Sequence, residues 1–131
     1  MSVSSSVAVD DVHRLRRNVL APGLWAVAVL AWGVGDMVTT HYALATVPTA
    51  YESTPAVAAV LEVAGVAGHV GFKSFWLALG YLYYRRVPRA AEQLTETPTS
   101  VVQWVMLALP AAFASAGVWL TLTNLDVILS G

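Results

Sequence analysis

The chain has 131 residues, 57% hydrophobic and 11% charged, with a net charge of −1 and a mean hydropathy of +0.65. A soluble domain carries about twice that charged fraction, so the composition reads as one all-α membrane domain and excludes a basic nucleic-acid surface. Cysteine is absent, which removes disulfides, thiolate catalysis and cysteine metal sites, and no P-loop, dinucleotide or zinc-finger motif asks for a cofactor.

Residues 1–18 are polar and Ser-rich, ending in Arg14, Arg16 and Arg17. The first apolar run covers about 19–45, long enough for a tilted span. Pro22 falls in its first turn, where a missing N–H is tolerated. Ala43-Leu44-Ala45 has the form of a signal-peptidase site. A retained span is the stronger reading, because the preceding segment is longer than a signal peptide of about 15–30 residues and contains Asp36. Residues 46–55 read as a loop, with Thr54 as N-cap and Pro55 as the first helical residue.

The stretch 56–84 is apolar but interrupted by Glu62, Gly65, Gly68, His69, Gly71 and Lys73. One helix over that length would reach roughly 43 Å, well beyond a core of about 30 Å. The expected arrangement is a short re-entrant or interfacial helix at about 56–66, a glycine-rich break, and a span at about 69–85. A polar loop follows over 86–99, and Ser100 with Gln103 forms a capping box for a last span at about 101–122. The fold expected is therefore three transmembrane helices plus one short helix within a single membrane domain, 19–131. Four spans are the alternative.

The basic residues orient this arrangement. Arg14, Arg16 and Arg17 and then Arg85, Arg86 and Arg89 flank apolar runs, and two crossings put both clusters on one side. By the positive-inside rule the N-terminus is cytoplasmic and the C-terminus external, in the cell membrane. Trp25, Tyr83, Tyr84 and Trp104 would mark the inner interface, and Tyr42, Tyr51 and Trp119 the outer one.

Lys73 is the one basic residue that flanks no apolar run. An ionisable group inside the bilayer is costly and marks a candidate site. Asp36 lies about 12 Å below the outer surface and Lys73 about 6–9 Å, on neighbouring helices, so the two are expected to face each other. Such a pair either fixes helix register or belongs to a functional site.

Thr39 and Thr40 share the helix face of Asp36. They either coordinate a cation beside it or bond their own backbone carbonyls. Glu62, His69 and Lys73 would fall within about 40° of one another on an unbroken helix. His41, Glu52, Glu62 and His69 supply metal-ligand chemistry, without standard spacing on one helix. Glu52, Asn124 and Asp126 add oxygen ligands at the outer end. The candidate polar or ion-binding set is Asp36, Thr40, Glu52, Glu62, His69 and Lys73, with no catalytic residue and no nucleophile elbow.

Asp36 with Thr40, Glu52-Ser53-Thr54-Pro55, and Lys73 resemble the pattern of an uncharacterised family of small prokaryotic multi-span membrane proteins. In that pattern a Thr follows an Asp by four residues, a Glu-x-Asn-Pro comes after the first span, and a Lys lies in a later one. Here Thr54 replaces the Asn, and the resemblance covers about residues 30–80. It implies a shared membrane fold and polar constellation. As a domain of unknown function, the family supplies no activity.

The function expected is that of a small polytopic membrane protein with a non-enzymatic accessory or structural role. The alternatives are a cation- or proton-translocating homo-oligomer and a membrane-embedded enzyme. The expected partners are the lipid bilayer and further copies or a larger membrane complex, with no nucleic acid and no cofactor.

Overall fold

The computed structural model describes residues 19–92 and 99–131. Its body is three helices: α1, Ala21–Thr46; α2, Pro55–Glu92; and α3, Thr99–Ser130. Each includes a stretch long and apolar enough to cross a membrane, and no strand occurs among the described residues. The chain is an all-α membrane protein, and the described residues hold three such helices, not four. Its pattern of burial is inverted relative to a soluble domain. Leu30, Val63, Trp119 and Leu129 are exposed, while Asp36, Thr40, His69 and Lys73 are buried.

In α1, Pro22 sits in the first turn and the middle widens into π turns over Val29–Gly35. The Asp36 N–H accordingly reaches the Ala31 carbonyl five residues back. That carbonyl also accepts the Thr121 hydroxyl of α3 at 3.1 Å. The two helices approach tightly at Gly117, where a Cβ would run into the Trp32 backbone. Small residues are what permit such an approach where no water drives the helices together.

α2 is broken at Gly65, whose φ of 57° and ψ of −149° lie in a region open only to glycine. The break separates a segment of roughly 15 Å, Pro55–Ala64, from one of roughly 40 Å that continues to Glu92. The short segment cannot cross a bilayer alone.

The helices outrun their expected ends. α2 continues through Pro88 instead of stopping at 85, and α3 reaches Ser130 instead of 122. Arginine favours helix and leaves the apolar core without ending the backbone ladder. At the end of α3, Leu125, Val127, Ile128 and Leu129 extend the apolar run, and Ser130 Oγ donates back to the Asp126 carbonyl at 2.8 Å. Arg14, Arg16 and Arg17 lie outside the described residues, as does the side chain of Ser100 in the expected capping box.

One end of the bundle is aromatic. Trp25 is buried against Tyr81, Tyr84 and Phe113 at ring-centre separations of 5.6, 5.7 and 5.9 Å. Sequence placed Trp25 in an interfacial belt. The structure places it in the core, because Gly80 and Ala114 leave room for the large ring between the helices.

Candidate functional site

The opposite end is polar, and each helix contributes by simple periodicity. Trp32, Asp36 and Thr40 recur at four-residue steps on α1, as His69 and Lys73 do on α2. Leu120, Asn124 and Val127 line one face of α3. The loop over 47–54 closes over them. Thr54 stands just before the start of α2, its carbonyl accepting the Ala58 N–H at 2.9 Å, while Glu52 Oε1 accepts the Thr54 N–H at 2.8 Å.

Asp36 is the hub. Its Oδ2 takes a charge-assisted hydrogen bond from Lys73 Nζ at 2.5 Å. Its Oδ1 accepts from Asn124 Nδ2 at 3.0 Å and from the Thr40 hydroxyl at 3.4 Å. The Asn124 amide also lies 2.9 Å from Thr40 Oγ1 and 3.1 Å from Thr39 Oγ1. Two N–H protons are thus shared among several acceptors on α1. Thr39 in turn donates to the Gly35 carbonyl at 2.9 Å, the local back-bond expected of a helical threonine. Lys73 Nζ also sits 4.0 Å from the centre of the Trp32 ring, a cation–π contact beside its ion pair. Asp36 and Lys73 are 5% and 4% exposed. Two buried opposite charges in this contact neutralise each other, which reduces the cost of holding either away from water.

A second polar pair stands beside the first. His69 Nδ1 and His41 Nε2 are 3.3 Å apart, so one ring donates and the other accepts. His69 is 1% exposed, and its Nε2 has no hydrogen-bond partner among the described residues. The α2 register that buries Lys73 also buries the residue four positions earlier.

Above this floor lies a cavity of about 560 Å³ at the end of the bundle where the 47–54 loop meets the end of α3. Of the sequence candidates, Asp36, Thr40, Glu52, His69 and Lys73 line it, and Glu62 does not. Glu62 is exposed, because the Gly65 break removes the helical phase that would have aligned it with His69 and Lys73. The four-residue metal set also fails to assemble. Among the described residues no three His, Asp or Glu side chains converge in a way that could hold a metal ion.

Two contributors were not legible in their present roles. Asn124 reads from sequence as an oxygen ligand but acts through its amide nitrogen. The signal for Trp32 was its place four residues before Asp36.

The chain belongs to the family described as Domain of unknown function (DUF5658), whose model matches residues 27–130. The matched segment contains all three helical contributions to the polar cluster and the loop over the cavity. The resemblance to an uncharacterised family read from Asp36, Thr40, Glu52 and Lys73 is borne out to that extent. No curated protein and no solved structure matches the chain.

Proposed function

We propose that this chain is a small non-enzymatic membrane protein whose polar cluster ties three helices at one carboxylate and floors a binding cavity. The observation that carries this reading is the double engagement of Asp36, by Lys73 from α2 and by Asn124 from α3. In lipid there is little hydrophobic force between spans, and such hydrogen bonds help set how helices associate. The same engagement argues against catalysis. Asp36 and Lys73 occupy each other, and the described residues contain no nucleophile held by a base and orienting group.

The orientation that fits this reading has the N-terminus in the cytoplasm and the cavity outside, since Arg85, Arg86 and Arg89 end α2 away from the cavity. A lipid bilayer surrounds the bundle, and further copies or other membrane proteins are its natural partners.

The second reading, cation or proton translocation by an oligomer, draws on one observation. Glu52 lines the cavity, and no Lys or Arg occurs between Arg17 and Lys73 or after Arg89. A double variant, Asp36→Asn with Lys73→Met, reconstituted in liposomes separates the two. The structural reading expects a folded protein whose Na⁺ and H⁺ flux equals that of the parent. Flux present in the parent and absent from a folded double variant would replace it with the transport reading.

A further inference from the structure

We infer that the cavity is a binding site for an ammonium group carried on an apolar body, with Glu52 as its counter-ion. This rests on the reading of the polar cluster as the floor of a binding cavity. The charge balance of the lining comes first. Asp36 and Lys73 form the only ion pair among the described residues, and Lys73 also makes a cation–π contact with Trp32. The one cation that lines the cavity is therefore already engaged, which leaves nothing to hold an anion. Glu52 forms no ion pair among the described residues, and its Oε1 accepts from the neutral Thr54 N–H. Glu52 is thus the one side-chain carboxylate of the lining with no cationic side chain paired to it.

A volume of about 560 Å³ falls within the range of roughly 300–1,000 Å³ that small organic ligands occupy. It exceeds the need of a bare ion, for which no ligand set converges among the described residues. Leu44, Val47, Val57, Phe72, Leu120 and Val127 make most of the wall apolar, which suits a hydrocarbon or aromatic body.

His69 lines the same cavity, and its buried Nε2 lacks a hydrogen-bond partner among the described residues. In the tautomer that donates Nδ1–H to His41, Nε2 carries a lone pair and is an acceptor for an N–H. The ionisable side chains lining the cavity are then Glu52 from the loop, His69 from α2, which is paired with His41 of α1, and the self-neutralised Asp36–Lys73 pair.

The experiment uses the full chain in detergent and three probes of similar size: phenethylammonium, 2-phenylethanol and 3-phenylpropanoate. Calorimetry should give saturable binding of the ammonium, with the alcohol and the carboxylate weaker by about tenfold or more. Glu52→Gln should lose about tenfold in ammonium affinity while unfolding at the same temperature without ligand. Glu62→Gln, at an acidic residue that does not line the cavity, should bind as the parent does.

Phosphatidylethanolamine that displaces the probe from the micelle assigns the ammonium to a lipid headgroup. Failure to displace it assigns the site to a free amine, and both accord with the inference. Absent ammonium binding, equal binding of the three probes, or an unchanged Glu52→Gln variant would each overturn it. If the Asp36–Lys73 coupling is intact when binding fails, the ligand class alone is lost. If that coupling is missing too, the underlying reading of the cluster falls with it.

Discussion

The two ends of the bundle are held by different physics. At the aromatic end Trp25, Tyr81, Tyr84 and Phe113 fill the space between helices with edge-to-face and tilted rings. At the cavity end the helices are joined by an ion pair and amide and hydroxyl hydrogen bonds around Asp36. Ring packing is graded, so a smaller ring loses part of the contact and keeps the rest. A buried charge pair is closer to all-or-none, because removing one partner strands the other. The aromatic end therefore tolerates change, and the cavity end, which leaves open volume beside its charges, depends on a few atoms.

The largest expected effect breaks the cavity end alone. Lys73→Ala leaves the Asp36 carboxylate buried and unpaired and should destabilise the protein by about 3–5 kcal/mol in denaturant titrations from detergent. Next comes the seam between the ends. Gly117→Val drives a side chain into the Trp32 backbone and should cost about 1–3 kcal/mol. The displacement of Trp32 from Lys73 should register as a change in tryptophan fluorescence. At the aromatic end Phe113→Leu removes ring contacts with Trp25 and Trp32 and should cost about 1 kcal/mol by the same titration. The smallest effect belongs to Glu62→Gln, which should stay within about 0.5 kcal/mol of the parent by the same titration. A larger loss there would mean that Glu62 shares in the cluster after all.

Much of the cavity end was legible because charge in an apolar run is a strong signal. Asp36 and Lys73 stand out in their segments, and depth counted from the helix ends brings them to one level. Thr40 follows from its four-residue spacing. The limits are equally physical. Glu62 was grouped with His69 and Lys73 by helical phase, and a single glycine in a conformation closed to other residues cancels that phase.

The π turns over Val29–Gly35 leave no mark in hydrophobic periodicity, because every residue there is apolar or glycine. Asn124 was noticed for its oxygen and works through its nitrogen, a choice only the facing acceptors decide. Trp25 could not be told from a belt residue, since an aromatic near the end of an apolar run fits both positions.

The central claim is that Asp36 and Lys73 act as one unit. A double-mutant cycle with Asp36→Asn, Lys73→Met and the two combined, read as unfolding free energy in detergent, tests it most directly. The account predicts that each single change costs more than the pair together, so that the coupling is at least as large as the roughly 3–5 kcal/mol cost of removing one partner. Additivity to within about 0.5 kcal/mol would contradict it, for the two charges would then be independent and the cavity would have a different floor.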